Sequence, residues 1–268
     1  MGRFHRHEDG TVHAHDHAHD HEHDHHHDHT HEHTHEVGDH SGYETGRERI
    51  EVLEDIFSEN DRRAASNRAA FAEHGVLAIN VMSSPGAGKT TLLEKTLAEL
   101  GQDLRFGVVE GDIETAIDAD RLRGFGAQVS LLNTGNGFGG ECHLDAPMVS
   151  RALEGLELST LDVVMIENVG NLVCPAEFEV GEHKKVMIAS VTEGEDKPLK
   201  YPVMFRSVEV VVINKIDLLP YLDFNLDLFT QNIAQVNPEA TVIEVSTKTG
   251  EGLEQWFAWI RKQSQQRG

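Results

Sequence analysis

Residues 76–91 read VLAINVMSSPGAGKTT, an apolar run followed by a glycine-rich turn and the pair Lys89-Thr90. The apolar run, residues 76–82, has the length and the β-branched content of a buried strand. Backbone N–H groups of a glycine-rich turn and of a following helix N-terminus cradle phosphate oxygens. Because strand, turn and helix start come in that order, this stretch predicts a phosphate-binding loop.

The loop residues also predict how a nucleoside triphosphate is held. Lys89 would reach the β- and γ-phosphates, and the Thr90 hydroxyl would bind Mg²⁺. Ser83 stands where the strict pattern has Gly, but Gly86 and Gly88 keep the loop permissive. The alternative is a chance glycine-rich turn. It is disfavoured because the turn follows a strand and carries Lys89 and Thr90 at the positions that a phosphate loop requires. The predicted nucleotide-contacting residues are Ser84, Pro85, Gly86, Ala87, Gly88, Lys89, Thr90 and Thr91.

Strands and helices alternate after this loop. The strand-like runs are β-branched and nearly continuous in apolar character, as strands buried on both faces are. They lie at 76–82, 106–110, 128–132, 162–167, 186–191, 208–214 and 242–245. Helical stretches lie near 47–74, 88–100, 115–124, 145–157, 224–236 and 252–265. This order predicts an α/β domain with a doubly wound, mainly parallel sheet, and Trp256, Phe257 and Ile260 of the last helix are expected in its core.

The predicted boundaries are a tail at 1–40, a helical segment at 41–75 and a P-loop domain at 76–268. Sixteen of the nineteen histidines fall within the first 40 residues, mostly alternating with Asp and Glu. Residues 1–40 contain only six apolar residues, whose burial cannot offset the entropy lost when a chain is ordered. The tail is therefore expected to be disordered without metal. An expression tag would be an uninterrupted His run, whereas these histidines alternate with acidic residues, so the tail is not read as a tag. The candidate metal ligands of the tail are His13, His15, His17, His19, His21, His23, His25, His26, His27, His29, His31, His33 and His35.

Asn214-Lys215-Ile216-Asp217 directly follows an apolar strand and predicts the nucleotide base. The Asp217 carboxylate would accept two hydrogen bonds from N1–H and N2–H₂ of guanine, and adenine has no such donor pair. The alternative is a plain strand-end turn. Ser246-Thr247-Lys248 follows the last strand, where a second base-contacting loop would lie. Together these predict GTP and GDP as ligands.

Two acidic strand ends predict further parts of the catalytic site. Asp112 follows the second strand of the domain and Glu167 ends the fourth. A carboxylate at such a position commonly holds Mg²⁺ or its water, although each could be a solvated turn acid. Gly170 could offer a backbone N–H to the γ-phosphate, which would make 167–174 a switch. With Lys89, these three residues are the catalytic candidates.

The only two cysteines suggest a second metal site. Cys142 is followed by His143, and Cys174 lies four residues after Gly170. Thiolate and imidazole ligands suit Ni²⁺ or Zn²⁺, but two buried, inert cysteines fit the residues equally well. His183 carries no motif and is expected at the surface or at a helix end.

Charge and composition exclude several classes of function. A formal net charge of −23 argues against non-specific binding to nucleic acid or to an anionic membrane. Two cysteines in 268 residues are not a disulfide framework. No apolar run has the length of a membrane span and no signal peptide is recognisable, so a cytoplasmic location is expected.

Several motifs together resemble one family, the hydrogenase maturation GTPase HypB. They are Asn67-Arg68, the phosphate loop with its Ser83, Asn133-Thr134-Gly135, the CHLDA motif at 142–146, the ENVGNLVCP motif at 167–175 and the KPLKYP motif at 197–202. The resemblance implies a SIMIBI-type GTPase that forms a homodimer with GTP and helps to insert nickel into nickel–iron hydrogenase. It also implies that Cys142, His143 and Cys174 hold Ni²⁺ or Zn²⁺, and that Mg²⁺ accompanies the nucleotide.

The implied partners are the accessory protein HypA and the precursor of the hydrogenase large subunit. The chain has no CxxCGC motif, and its tail resembles that of nickel-storing members, which implies Ni²⁺ on the tail histidines. Two other readings stay open: a urease-type nickel accessory GTPase of the UreG kind, and a nickel-storage protein whose GTPase domain serves only regulation. The hydrolysis of GTP is expected to be slow, because the task is switching.

Overall fold

A computed structural model describes residues 5–6, 12–13, 46–112, 117–133 and 143–266. The chain divides into two compact units, Met1–Thr45 and Gly46–Gly268. In the first unit, β1 (His5–Arg6) pairs antiparallel with β2 (Val12–His13). The expected disorder of the tail, and all its candidate ligands apart from the backbone of His13, lie outside the described residues.

The second unit contains seven strands and nine α-helices within its described residues. Its strands are β3 (Leu77–Ser83), β4 (Phe106–Asp112), β5 (Gln128–Asn133), β6 (Val163–Glu167), β7 (Lys184–Ser190), β8 (Val210–Asn214) and β9 (Thr241–Glu244). Its helices are α1 (Gly46–Glu73), α2 (Lys89–Leu100), α3 (Ile117–Arg123), α4 (Ala146–Leu153), α5 (Cys174–Glu177), α6 (Lys197–Lys200), α7 (Pro202–Arg206), α8 (Leu226–Val236) and α9 (Leu253–Gln265). Every predicted strand and helix is present, and α5, α6 and α7 are additional.

All seven strands form one parallel sheet in the order β5-β4-β6-β3-β7-β8-β9. The prediction of a doubly wound parallel sheet is therefore confirmed. The strand β3 is central, with β6 on one side and β7 on the other. Because every strand runs in the same direction, the loops that follow their carboxyl ends meet along one edge. The phosphate loop follows β3 at the middle of that edge.

Alternate residues of β3 face opposite layers of helices. Ile79 belongs to a buried cluster with Leu93 of α2 and Trp256 of α9. Ala78 belongs to the cluster on the other face, with Phe71 of α1. A sheet covered on both faces explains why the strands are apolar at every position.

The apolar residues of α9 lie in the core, as predicted. Trp256 and Ile260 are fully buried and Phe257 is 6% exposed. The indole Nε1 of Trp256 donates a hydrogen bond of 2.8 Å to Oγ1 of Thr96, so burial leaves no polar atom of the indole unsatisfied. His183 differs from expectation: it is half-buried just before β7, and its Nδ1 accepts the backbone N–H of Ala78 at 3.0 Å.

Candidate nucleotide site and metal-binding segments

The phosphate loop adopts a conformation that requires glycine at two positions. Gly86 has φ +73° and Gly88 has φ +102°, both in the left-handed region. A Cβ on Gly88 would lie 2.4 Å from Nδ2 of Asn214. The loop and the candidate base reader are thus in direct contact, and α2 begins immediately after the loop at Lys89.

The residue that departs from the strict glycine pattern has a structural role. Ser83 is fully buried, and its Oγ lies 3.0 Å from Nζ of Lys89, which donates to it. The next residue is also held: Oγ of Ser84 donates to Oε2 of Glu193 at 2.7 Å. Nζ of Lys197 lies 3.0 Å from the same carboxylate. Sequence reasoning missed Glu193 and Lys197 as neighbours of this loop, although KPLKYP begins at Lys197.

A cavity of about 400 Å³ opens over the loop. Its lining brings together several catalytic and nucleotide candidates and adds Glu110, Arg121 and Asn168, which were not predicted. The full lining is Pro85, Gly86, Gly88, Lys89, Thr90, Thr91, Glu110, Gly111, Arg121, Glu167, Asn168, Val169 and Gly170. Gly170 packs on the loop so closely that a Cβ would lie 3.1 Å from Cα of Pro85.

The end of β6 places a carboxylate beside the loop threonine. Glu167 is 4% exposed, and its Oε1 accepts a hydrogen bond of 2.8 Å from Oγ1 of Thr90. Glu110 is opposite Glu167 in the register of β4 and β6 and is equally buried. Hydroxyl and carboxylate oxygens are the ligands that Mg²⁺ prefers, so this donor set fits the ion. Asp112 ends β4, and its side chain lies outside the description.

The candidate base reader lies beside the phosphate loop. Asn214 is fully buried; its Nδ2 donates to the carbonyl of Ala87 at 2.9 Å, and its Oδ1 accepts the backbone N–H of Thr247 at 3.1 Å. Lys215 has φ +65°, and its Nζ donates to the carbonyl of Gly86 at 2.7 Å. Asn214 therefore ties together three loops that follow three different strands.

The proposed guanine acceptor is positioned by the second base loop. Oδ1 of Asp217 accepts a hydrogen bond of 2.6 Å from Oγ of Ser246. Nζ of Lys248 lies 4.0 Å from the other carboxylate oxygen, and the Lys248 side chain is 80% exposed. The side chain of Asp217 is itself only 14% exposed. The predicted loop of Ser246, Thr247 and Lys248 thus lies at the carboxylate that would accept the guanine hydrogen bonds.

The candidate metal ligands are only partly described. Cys174 begins α5, and its Sγ lies 3.6 Å from Nδ2 of Asn171. The imidazole of His143 contacts the ring of Phe178, with 4.3 Å between the ring centroids. Cys142 lies outside the described residues. Among the residues that are described, no three His, Cys, Asp or Glu side chains lie close enough to hold a metal ion, so the three-ligand site stays a prediction.

In the part of the chain that the structure describes, no helix combines the length and the apolar character needed to cross a bilayer.

Comparisons with known proteins agree with the fold and with a nucleotide-binding domain. The family model "CobW/HypB/UreG, nucleotide-binding domain" matches residues 77–244. The hydrogenase maturation factor HypB of Azotobacter chroococcum mcd 1 is 50% identical over 214 residues, 80% of this chain and 69% of that protein. The crystal structure of HypB from Archaeoglobus fulgidus superimposes with a TM-score of 0.72 at 39% identity, covering 77% of this chain and 99% of that one.

A crystal structure of HypB from Helicobacter pylori in complex with nickel is similar to the same extent. Its TM-score is 0.72 at 38% identity, and the match covers 78% of this chain and 96% of that one. The parallel sheet and the glycine-rich loop define the fold as that of a P-loop GTPase. The chain belongs to the CobW/HypB/UreG family, and within it to the HypB hydrogenase maturation factors.

Proposed function

We propose that this protein hydrolyses GTP to control the delivery of nickel to the large subunit of nickel–iron hydrogenase. The observation that carries the proposal is the position of the 167–174 segment. Its first residues line the nucleotide cavity, and its last residue is Cys174. One short segment therefore connects the γ-phosphate region to a candidate nickel ligand.

The described residues would supply the parts of a GTP site. Backbone N–H groups of the loop would cradle the phosphates, and Lys89 would neutralise the β- and γ-phosphates. The hydroxyl of Thr90 and the carboxylate of Glu167 would hold Mg²⁺, which supplies charge stabilisation at the transferred phosphate when it is bound. Asp217 would accept the N1–H and N2–H₂ of guanine. Asp112 is retained as a candidate for holding Mg²⁺ or its water.

Hydrolysis would act on metal affinity through the switch segment. Gly170 packs against Pro85 of the phosphate loop, and its backbone N–H would donate to the γ-phosphate. Loss of that phosphate removes a contact that holds the segment, which is how nucleotide switches commonly change conformation. The displacement would reach Cys174 and thereby the thiolate ligands of nickel, with His143 and Cys142 completing the site.

The histidine-rich tail would serve as a store of nickel. Neutral imidazoles dominate at neutral pH and ligate Ni²⁺, and the interleaved carboxylates attract cations. The partners proposed on the same grounds are a HypA-like accessory protein, the hydrogenase large-subunit precursor and a second copy of this chain in the GTP-bound state. Zn²⁺ is a second candidate occupant of the cysteine and histidine site.

Complementation of cells that lack the protein tests this function. The readout is hydrogenase activity with scarce and with ample nickel, for Lys89→Ala, Cys174→Ala and a deletion of residues 1–40. GTP-driven delivery predicts that both substitutions abolish maturation when nickel is scarce, and that the deletion is rescued by ample nickel. Full maturation by Lys89→Ala would contradict GTP-driven delivery. Loss of maturation by the deletion alone would instead indicate a storage protein, and a parallel loss of urease activity would indicate the urease-type role.

A further inference from the structure

The side chain of Asn168 lies between the nucleotide cavity and the segment that carries His143. Asn168 follows β6 and is 1% exposed. Its backbone N–H donates to the carbonyl of Val81 at 3.0 Å, which anchors it to the central strand. Its Oδ1 accepts two backbone N–H groups, from Leu144 and from Val169, each at 3.0 Å. One acceptor atom therefore holds the residue after His143 and a residue of the cavity wall at the same time.

The nitrogen of the same amide begins a series of hydrogen bonds that ends at Val180, in the segment that follows Cys174. Nδ2 of Asn168 donates to Oδ1 of Asn80 at 3.3 Å. Nδ2 of Asn80 donates to Oε1 of Glu182 at 3.2 Å, and Oε2 of Glu182 accepts the backbone N–H of Val180 at 2.7 Å. Asn80 is fully buried and Glu182 is 6% exposed, so water does not compete for these groups. Asn168 is thus hydrogen-bonded directly to the segment that carries His143, and through Asn80 and Glu182 to Val180, six residues after Cys174.

We infer that Asn168 is a positioning residue that transmits the state of the nucleotide to the metal-binding segments. The inference rests on the proposed function, because it assigns the contact through which GTP would alter nickel affinity. A buried N–H that loses its acceptor is strongly unfavourable. When residues 167–170 shift with the γ-phosphate, Leu144 either moves with Asn168 or its backbone N–H loses its hydrogen-bond acceptor. Residues 167–170 and Leu144 would therefore move between two discrete arrangements. Both the bound nucleotide and the bound metal would bias the equilibrium between these arrangements.

Asn67 of α1 offers a matched control. It is 3% exposed, and its Nδ2 donates to the carbonyl of Ala146 at 3.0 Å and to that of Val180 at 2.9 Å. It therefore holds the same two segments as Asn168 does. It does so from α1, and it does not line the nucleotide cavity. If Asn168 only stabilised these segments, Asn67→Ala and Asn168→Ala would have the same consequences.

The test uses the full chain and the absorption of nickel bound to thiolate. Because Cys142 and Cys174 are the only cysteines, this charge-transfer band reports their site and not the histidine tail. Nickel is titrated against a competing chelator with GDP and with a non-hydrolysable GTP analogue. The ratio of the two affinities in Asn168→Ala is expected to fall to within about twofold of one, while Asn67→Ala keeps the wild-type ratio.

An unchanged ratio in Asn168→Ala overturns the inference and leaves the proposed function intact. Equal loss of the ratio in both variants also overturns it, because the role is then only structural. A wild-type ratio of one overturns the proposed coupling itself. Urea unfolding of each variant establishes that it is folded.

A second measurement needs neither a substitution nor a metal. Hydrogen exchange of the Leu144 amide in the wild-type chain is expected to differ between GDP and the GTP analogue, because its acceptor belongs to the switch segment. Identical protection in the two states would overturn the inference whatever the behaviour of the variants.

Discussion

The hydroxyl of Thr90 donates a hydrogen bond of 2.8 Å to Oε1 of Glu167 and so joins the first turn of α2 to the end of β6. These are neighbouring elements, because β6 pairs with β3, the strand that leads into the phosphate loop. Two of the three side chains that are candidates for Mg²⁺, those of Thr90 and Glu167, are therefore already adjacent. Glu167 also begins the segment that ends at Cys174, so a change at the phosphates has a covalent path of seven residues to a thiol.

Substitution of the loop lysine is expected to remove hydrolysis. Lys89→Ala deletes the cation that would stabilise charge on the transferred phosphate, and a loss of about 10²-fold or more in the rate of GTP hydrolysis is expected. Phosphate release from saturating GTP measures it. Lys95→Ala is the control, because Lys95 is an exposed residue of the same helix. A Lys89→Ala protein with wild-type turnover would show that the cavity over the loop is not the catalytic site.

Substitution of the base reader is expected to change nucleotide preference. In Asp217→Asn the carboxylate becomes an amide, which matches the N1–H and the O2 of xanthine better than the two donors of guanine. The affinity for GTP is expected to fall about 10²-fold or more, and that for xanthosine triphosphate to rise. Competition against a fluorescent GDP analogue measures both. Asp223→Asn, at an exposed position close in sequence, should leave them unchanged. A uniform loss of affinity for all nucleotides would argue against base recognition by Asp217.

Substitutions at two glycines with left-handed backbones would separate the effect of backbone strain from the effect of a steric contact with Asn214. An Ala at Gly75 (φ +67°) meets nothing within 4 Å, whereas one at Gly88 (φ +102°) meets Nδ2 of Asn214 at 2.4 Å. Both variants are expected to lose about 1 kcal/mol of unfolding free energy through backbone strain. Only Gly88→Ala should also weaken GTP binding, because it displaces Asn214. Urea unfolding and GTP titration distinguish the two effects, and equal GTP affinities would contradict the role given to Asn214.

Arg105 and Asp162 lie just before β4 and β6, at the end of the sheet opposite the phosphate loop. This pair predicts a pH dependence of stability that is unrelated to nucleotide binding. The side-chain hydrogen bonds of Arg105 hold the pKa of Asp162 below its usual range, and the backbone N–H of Arg105 adds to this. A lowered pKa in the folded state stabilises the protein above about pH 4 and ceases to do so as the pH falls through that pKa.

Asp162→Asn tests this dependence. The variant should be less stable at about pH 7 by up to about 1 kcal/mol, since the Arg105 side chain is largely exposed. The difference from wild type should shrink as the pH falls below about 4. Urea midpoints across this range measure it, and a pH-independent difference would show that the carboxylate charge is not responsible.

The sheet was predictable because its strands are long, apolar and β-branched. The helices α5, α6 and α7 were not, because each has only four or five residues and a Pro in its first turn. Motif residues such as Lys89 and Asp217 were identified because their spacing is local. Arg121 reaches the nucleotide cavity, and Glu193 reaches Ser84 of the phosphate loop, only through tertiary packing, which no local pattern records. Asn168 lies inside a recognised motif, but its hydrogen bonds to Leu144 and Asn80 become visible only in the folded chain.

The proposed function requires the nucleotide to control nickel affinity at the cysteine and histidine site. The most direct measurement is the nickel–thiolate titration of the full wild-type chain in the presence of GDP and of a non-hydrolysable GTP analogue. Different nickel affinities are expected in the two states. The difference is expected to disappear in Lys89→Ala, and the thiolate band in Cys174→Ala. Equal affinities in both states, with both nucleotides demonstrably bound, would contradict the proposed function.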